Sequence, residues 1–442
     1  MTDWTKQIME RLEALGRISE EPGRLTRTFG SSAARRANEL AGRWMKQAGM
    51  SVRQDLVGNL IGYYEPASGA QDCSPEEIAG NGRAKPEPRP PTLVIGSHLD
   101  TVRNAGKFDG ILGVLLGIAC VARLKQEKIR LPFTIQVVAF ADEEGVRFQS
   151  AYLGSRAAAG RLERAELERK DAQGISVAEA ILRAKNLGAP FLKDGRRSWS
   201  SALREARFDG RRLAGYLEAH IEQGPVLEQR KLAVGVVTAI AGQSRLRICF
   251  SGKAGHAGAC PMALRRDALC GAAELVLAVE NLGRRTAGLV ATVGYLQPAP
   301  NTSNVIPGAA NLSVDVRHQG DAARRRAEAR VRSLARSIAK ARRLAVTVES
   351  VQQEPAVPCS RRLSSLLTRA VKRYQPEAAD LPSGAGHDAV MMAALTPVAM
   401  LFIRCKDGLS HHPDESVKPA DIRVALDVMC EFIHLLSKER KT

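Results

Sequence analysis

The sequence predicts an α/β protein in which one compact domain is inserted into another. At 442 residues the chain is too long for a single ordinary core and suits two domains. Apolar, β-branched runs at 92–98 and 133–142 flank a helical stretch, which is the βαβ signature of a parallel sheet. A separate βαββαβ pattern follows from about 238 to 351. We therefore expect a first domain formed by 1–235 and 353–442, and an inserted domain over 236–352.

The inserted pattern consists of alternating strands and helices that are able to fold as a unit. The predicted strands are 244–251, 288–296, 310–317 and 344–351, and the predicted helices are 264–284 and 321–343. Beyond them, the apolar run 398–403 predicts a return to the first sheet. A Pro/Gly-rich stretch at 65–91 is typical of a surface loop.

The composition indicates a soluble globular protein, with 44% hydrophobic and 25% charged residues. Its eight cysteines are scattered without a CxxC pair, which favours reduced thiols over a disulfide framework. The N-terminal residues carry charges throughout and lack the apolar core of a signal peptide. The longest apolar run, 111–122, is too short to cross a bilayer. We expect a cytoplasmic protein without a membrane partner.

The net charge of +18 raises the alternative of nucleic-acid binding. Much of this charge lies at 321–343, where basic residues alternate with Ala and Leu, as on the solvated face of an amphipathic helix. Aromatic residues make up only 4% of the chain, so a base-stacking surface is poorly supplied. A basic nucleic-acid-binding protein remains the alternative from a different functional class, and we expect no nucleic-acid partner.

Four motifs place histidines and acids at predicted strand ends. GSHLDTV holds His98 and Asp100, which would share one face of a strand, so that Asp100 can accept from the histidine ring. Asp109 comes just before a predicted helix. The alternative makes Asp109 a helix cap and His98 an ordinary polar residue. In DEEGVRF, adjacent acids repel unless they share a cation or proton, although a solvated acidic turn is the alternative.

Two further motifs, HIEQGP and GLSHHPDE, supply His220 and the pair His411 and His412. The chain has only eight histidines, and four of them already lie at strand ends beside Gly, Pro or acids. Scattered solvated histidines would not concentrate in this way. Together the motifs predict a metal site.

In this order, the motifs resemble the amidase, hydantoinase/carbamoylase family of the metallo-exopeptidase and aminoacylase superfamily. The resemblance covers nearly the whole chain. It implies a mixed-sheet, metallo-exopeptidase-like catalytic domain, two divalent metal ions per subunit, and an inserted domain that forms a homodimer. The implied metal ligands are His98, Asp109, Glu144, His220 and His411, with Asp109 bridging both ions. Such a His/carboxylate mixture suits Zn²⁺, Mn²⁺ or Co²⁺.

The resemblance also implies catalytic and substrate-binding residues. Glu143 would be the general base and acid, Asp100 would be a further catalytic residue that supports His98, and His256 in GKAGHAG would stabilise the oxyanion in the partner subunit. Gln223, Asn304, Arg317 and His387 would contact the substrate. Arg317 ends a predicted strand, and its planar fork can grip a carboxylate, although a surface salt bridge is the alternative. Ala259 and Cys260 replace the paired threonines that relatives often carry.

The implied activity is hydrolysis of a ureido or carbamoyl C–N bond in a small carboxylate. Hydrolysis of allantoate to ureidoglycine, ammonia and carbon dioxide is the first expectation. N-carbamoyl-L-amino acids or β-ureidopropionate are the second, and dipeptides the third.

Overall fold

The structure is a computed structural model that describes residues 2–65, 90–184 and 199–439. The loop expected at 65–91 therefore lies, except at its ends, outside the described residues. The chain divides into two compact units. The first comprises Met1–Thr238, Cys359–Leu381 and His387–Thr442, and the second comprises Ala239–Pro358 and Pro382–Gly386. The expectation that 236–352 form an independent, dimer-forming domain stays a prediction.

The strands follow one another in both units. In chain order they are β1 (Ser51–Gln54), β2 (Leu60–Tyr64), β3 (Thr92–His98), β4 (Thr134–Phe140), β5 (Leu213–Ile221), β6 (Val234–Ile240), β7 (Gly242–Ser251), β8 (Gly255–His256), β9 (Val290–Ala299), β10 (Val305–Ile306), β11 (Ala309–His318), β12 (Ala345–Glu354), β13 (Val357–Pro358), β14 (Ala379–Ser383) and β15 (Val398–Ile403).

The α-helices complete the architecture. They are α1 (Trp4–Gly16), α2 (Ser32–Gln47), α3 (Ile111–Gln126), α4 (Leu153–Ala158), α5 (Arg164–Leu167), α6 (Val177–Ala184), α7 (Trp199–Ala206), α8 (Val226–Gln229), α9 (Ala268–Arg285), α10 (Asp321–Ala341), α11 (Arg361–Val371), α12 (Ala389–Met392) and α13 (Pro419–Glu439). Within the described part of the chain, none of these helices is both long and apolar enough to cross a membrane.

The first unit is built on a mixed sheet, which confirms the predicted fold class. Its strands run in the order β1-β2-β4-β3-β5-β15-β6. The pairs β3/β4, β3/β5 and β5/β15 are parallel, whereas β1/β2, β2/β4 and β6/β15 are antiparallel. Every residue of β3, β4 and β15 is buried, as expected of strands covered on both faces.

The second unit has the predicted βαββαβ order. Its antiparallel sheet runs β12-β7-β11-β9. Burial alternates along β7 and β11, because one face packs against α9 and α10. Helix α9 begins at Ala268 and not at 264, since Asp267 caps it by accepting from the amides of Leu269 and Cys270.

The parallel strands of the first unit bring distant motifs to one edge of the sheet. His98 is the last residue of β3, and the acids at 142–144 follow the end of β4. His220 is the penultimate residue of β5, and the loop with His411 follows β15. Because parallel strands end at the same edge, these side chains meet where ligands bind in open α/β sheets.

Candidate active site

The carboxylate of Asp109 is the centre of the site. Its Oδ1 atom lies 3.0 Å from Nε2 of His220 and 3.6 Å from Nε2 of His98. Its Oδ2 atom lies 3.5 Å from Nε2 of His411, which is itself 3.4 Å from Oε1 of Glu144. Each oxygen of one buried carboxylate therefore faces a different group of potential ligands. Within each group the ligand atoms all lie within 4.8 Å of one another.

The orientation of the two buried histidines fits a cation. Nδ1 of His98 lies 3.0 Å from the Asp100 carbonyl, and Nδ1 of His220 lies 2.9 Å from the Ile221 carbonyl. Because a carbonyl only accepts, each Nδ1 carries a proton, and a neutral ring then points the lone pair of Nε2 at Asp109. Such a lone pair repels the carboxylate oxygen unless a positive charge lies between them, which is either a proton on Nε2 or a bound cation. A divalent cation bound by these three groups provides that charge.

Asp100 approaches Nδ1 of His98 with its main-chain carbonyl at 3.0 Å and with its carboxylate Oδ1 at 3.7 Å. Strand β3 ends at His98, so the two residues do not share a strand face. The expected role of the Asp100 carboxylate beside His98 stays a prediction. The Asp100 carboxylate accepts from the amides of Glu143 and Glu144 at 3.2 and 3.1 Å. Asp100 therefore fixes the backbone of the two adjacent glutamates.

Burial and mutual repulsion shift the acids after β4. Desolvation raises the pKa of Glu143 well above its usual value, and the charges of Glu144 and Asp388 add to the shift even though His98 opposes it. Desolvation likewise raises the pKa of Asp142 well above the usual value, with Asp100 contributing. For His98, burial lowers the pKa, but the hydrogen bond to Asp109 and the charge of Glu143 outweigh it and raise the pKa. A cation would relieve this crowding of negative charge.

Asp109 is held from three sides. Nε2 of Gln223 donates to its Oδ2 at 2.8 Å, and the hydroxyl of Ser410 donates to the same oxygen. Its own amide donates to Glu415 at 2.9 Å. The alternative in which Asp109 caps a helix is wrong, because the residue before α3 is Gly110 and no side chain caps that helix. At Gly110, which has a φ of 67°, an added Cβ would lie 2.3 Å from the His98 ring.

Three residues of the site adopt a backbone conformation that L-residues rarely take. Asp142, Gln223 and His411 have φ values of 55°, 57° and 58°. Such strained residues concentrate at functional sites, where the surrounding structure holds them in place. His411 is also half exposed, and its pKa is raised to about 9, first by the hydrogen bond to Glu144.

His387, expected to contact substrate, is buried at 1% exposure against the ring of His220. The two ring centroids are 4.5 Å apart at an interplanar angle of 64°. Burial lowers the pKa of His387 well below its usual value, and the charge of His220 adds to this. The neutral ring of His387 therefore packs against His220, a candidate metal ligand. A contact between His387 and the substrate stays a prediction.

His256 and Asn304, in the second unit, are neighbours. His256 pairs with Val305, and the Ala257 amide donates to the Asn304 carbonyl at 2.9 Å. Nδ1 of His256 accepts from the amides of Gly258 and Ala259 at 3.1 and 3.2 Å. Nε2 of a neutral His256 then carries the proton. Because main-chain amides make these bonds, they do not depend on the side chain at position 259.

Arg317, in the same unit, makes three hydrogen bonds. Nε and Nη2 donate to the two oxygens of Asp315, both at 3.0 Å, and Nη1 donates to the Gly384 carbonyl at 2.7 Å. The alternative of a salt bridge is thus present in the structure. A guanidinium has five N–H groups. Two of them remain after these three bonds.

The structure thus brings together His98, Asp100, Asp109, Glu143, Glu144, His220, Gln223, His387 and His411 in the first unit. His256, Asn304 and Arg317 belong to the second unit. The sequence analysis did not predict Ser410 and Glu415, which lie in GLSHHPDE, or Asp388, which follows His387. Their nearness to His411 or His387 in the chain was the available signal.

Comparisons with known proteins agree with this geometry. Residues 94–435 match peptidase family M20/M25/M40. The chain is 39% identical to a probable allantoate deiminase of Oryza sativa subsp. japonica, covering 96% of this chain and 87% of the relative. It is 37% identical to the N-carbamoyl-L-amino acid amidohydrolase of Geobacillus stearothermophilus, covering 98% of both chains.

A solved structure extends the likeness to the fold. The hydantoinase/carbamoylase family amidase of Burkholderia multivorans superposes with a TM-score of 0.83 at 31% identity, over 97% of both chains. The expected resemblance is confirmed. The chain belongs to the hydantoinase/carbamoylase family of amidases, within peptidase family M20/M25/M40.

Proposed function

We propose that this protein is a metal-dependent amidohydrolase that cleaves a ureido or carbamoyl C–N bond of a small carboxylate, with allantoate as the substrate. The observation that carries the proposal is the carboxylate of Asp109, whose two oxygens face separate groups of histidine and carboxylate donors. A carboxylate in this position could contribute one oxygen to each of two cations.

Two divalent ions per chain fit these donors. His98, Asp109 and His220 would hold one ion, and Asp109, Glu144 and His411 the other. Imidazole and carboxylate ligands suit Zn²⁺, Mn²⁺ or Co²⁺. When bound, such ions polarise a carbonyl oxygen and make water acidic enough to ionise near neutral pH.

Glu143 would move the proton. Its carboxylate lies 3.9 Å from Nε2 of His98. Glu143 also lies close enough to His98 and Glu144 to hold an ion with them, but the two groups that share Asp109 account for two ions without it, which leaves Glu143 for the reacting water. The raised pKa of Glu143 suits a group that takes a proton from water and returns it to the leaving nitrogen. The overall reaction converts one carbamoyl group and one water into an amine, ammonia and carbon dioxide.

Three residues of the second unit would contact the substrate's negative charges. The protonated Nε2 of His256 would oppose the charge on the carbonyl oxygen. The two remaining N–H groups of Arg317 would hold the substrate carboxylate, with Asn304 beside them. Asp315 fixes the guanidinium plane and thereby the direction in which these groups point.

Allantoate is favoured because the probable allantoate deiminase is 39% identical to this chain. N-carbamoyl-L-amino acids are the second candidates, because the similar Geobacillus stearothermophilus protein is named for them. Both substrates offer a carboxylate and a carbamoyl nitrogen, so one site serves the same chemistry on either.

We also propose that the protein forms a homodimer whose interface lies on the second unit. Most of the large hydrophobic side chains that are exposed in the described ranges lie in that unit, including Leu277, Val290, Tyr295 and Val351. Exposed apolar patches mark association surfaces. We also place the protein in the cytoplasm, since its described cysteines are free thiols.

A substrate panel with an arginine variant tests the function. Purified enzyme loaded with Zn²⁺, Mn²⁺ or Co²⁺ is given allantoate, several N-carbamoyl-L-amino acids and a neutral amide analogue. Allantoate should give the highest kcat/KM, and the neutral analogue should not react. Arg317→Lys should lower kcat/KM at least about tenfold, because an ammonium keeps the charge but loses the planar fork.

Arg245→Lys is the matched control, since Arg245 contacts the same Asp315 carboxylate at 3.2 Å from the neighbouring strand. It should leave kcat/KM unchanged. If the neutral analogue is cleaved and Arg317→Lys has no effect, Arg317 does not bind a substrate carboxylate. No hydrolysis of any substrate by the metal-loaded protein would remove the proposed function.

A further inference from the structure

Glu415 links the two loops that carry Asp109 and His411. It is 4% exposed and lies four residues after His411. Its Oε1 atom accepts from the amide of Phe108 at 2.7 Å and from the amide of Asp109 at 2.9 Å. One carboxylate oxygen thus holds two consecutive amides about three hundred positions earlier in the chain, and the second of them is that of the proposed bridging ligand.

The loop around Glu415 is itself closed. The Glu415 amide donates to the His412 carbonyl at 3.1 Å, and the amide of Lys406 donates to the Ser416 carbonyl at 2.9 Å. Nδ1 of His412 accepts from the Asp414 amide at 3.2 Å. The first of these bonds ties Glu415 to His412, the residue that follows His411. A displacement of Glu415 should therefore be passed on to His411 through the backbone of His412.

The two loops approach so closely because residue 106 is a glycine. A Cβ added at Gly106 would lie 2.3 Å from Cβ of Glu415 and 2.7 Å from its Oε1. No side chain other than hydrogen fits between them. The Glu415 carboxylate reaches the amides at 108 and 109 only because this space is empty of side-chain atoms.

We propose that Glu415 is a positioning residue that sets the spacing between Asp109 and His411, and thereby the affinity of the cation that these two ligands share with Glu144. The inference rests on the proposed function, because it presumes that these donors bind metal. It assigns no contact with metal or substrate to Glu415. Groups that orient metal ligands in this way typically change metal affinity by about 10- to 100-fold when they are removed.

The direct test is a calorimetric titration of the metal-free, full-length protein with Zn²⁺. The wild type should bind two ions. Glu415→Ala should weaken binding of the ion shared by Asp109, Glu144 and His411 by about 10- to 100-fold, and should weaken the other event less, because His98 and His220 keep their positions. Glu415→Gln should recover most of the lost affinity, because the amide oxygen still accepts from both backbone N–H groups.

A matched control separates positioning from general loosening. Asp421 is also buried, at 2% exposure, and accepts from Arg404 at 2.8 and 2.6 Å, but it touches none of the proposed metal ligands. Asp421→Ala should lower the melting temperature of the metal-free protein without changing either Zn²⁺ affinity. If Asp421→Ala weakens Zn²⁺ as much as Glu415→Ala does, the positioning role is overturned.

Gly106→Ala gives an independent route should Glu415→Ala fail to fold. The added methyl should displace Glu415 and weaken the same Zn²⁺ event, and combining it with Glu415→Ala should cost little more than either change alone. Unchanged Zn²⁺ affinities in both variants, or equal losses in Glu415→Gln and Glu415→Ala, would refute the inference. A wild type that binds no Zn²⁺ would instead refute the proposed function.

Discussion

Strands β3 and β15 of the first unit are buried along their whole length, whereas β7 of the second unit alternates between buried and exposed residues. In the first unit, the strand ends carry buried acids and histidines whose pKa values depart from the usual range. In the second unit, His256 and Arg317 are held by hydrogen bonds at a partly exposed surface. The comparison teaches that the first unit buries charged groups that a cation would stabilise, whereas the second unit keeps these two groups near the surface and paired by hydrogen bonds.

Metal removal is the strongest way to test this contrast. Chelation should abolish hydrolysis, and added Zn²⁺, Mn²⁺ or Co²⁺ should restore it. Hydrogen exchange should accelerate in the loops around Asp109, Glu144 and His411, because bound ions stabilise only the unit that holds them. The strands of the second unit should exchange at an unchanged rate. Equal acceleration in both units would contradict the contrast, and full activity without metal would remove the metal site.

Substitutions of the adjacent residues Glu143 and Glu144 should have different effects. Glu143→Gln should lower kcat by about 10²- to 10⁴-fold, the usual range for a general acid–base group, with metal content preserved. Glu144→Gln should instead lower metal occupancy, because Glu144 lies with Asp109 and His411. Emission spectroscopy of the purified variants measures the metal. Equal metal loss in both would show that the roles are wrongly assigned.

A residue of the second unit should affect turnover without affecting metal. His256→Ala should lower kcat by about 10²- to 10³-fold, as loss of one oxyanion donor does. If His256 serves the partner subunit, mixing His256→Ala with Glu143→Gln should recover activity, because one of the two sites in a mixed dimer is intact. Absence of recovery after verified subunit exchange would place His256 in the site of its own subunit or outside catalysis.

The smallest effects are expected from substitutions on α10, where some arginines are buried and others are exposed. The quantity affected is the free energy of unfolding. Arg326→Gln, on the exposed face, should change the free energy of unfolding by less than about 0.5 kcal/mol. Arg324→Gln should cost about 1–3 kcal/mol, because Arg324 is buried and donates to Gln353 and Ser244. Urea denaturation measures both. If the protein binds DNA in a salt-sensitive manner and Arg326→Gln weakens that binding, the nucleic-acid alternative would be supported instead.

Sequence patterns predicted what depends on neighbouring residues. The apolar run 92–98 is β3 itself, and 398–403 is β15, because fully buried strands must be apolar throughout. The histidines at the ends of these strands located the site, because a polar residue that directly follows a buried apolar strand stands out in the sequence. The run 133–142 was too long, since the chain leaves the strand after Phe140 to make the turn at Asp142.

Contacts between segments that are distant in the chain could not be predicted from the sequence. That Asp100 turns its carboxylate to the amides of Glu143 and Glu144 depends on where β3 ends. That Gln223 donates to Asp109, rather than only facing substrate, depends on how the loop after β5 is folded. Local periodicity carries no information about such pairings, because they are set by the tertiary packing.

The order of the strands also determines how this chain folds while it is being made. Strand β15 pairs with both β5 and β6, yet it is encoded after the continuous stretch that forms nearly all of the second unit. At about 5–20 residues per second, the roughly 160 residues between β6 and β15 take on the order of 10–30 s to synthesise. During that time the facing edges of β5 and β6 lack their partner, and an unpaired edge invites pairing with other chains. Nascent chains that stop short of β15 should therefore be the main source of aggregation during synthesis.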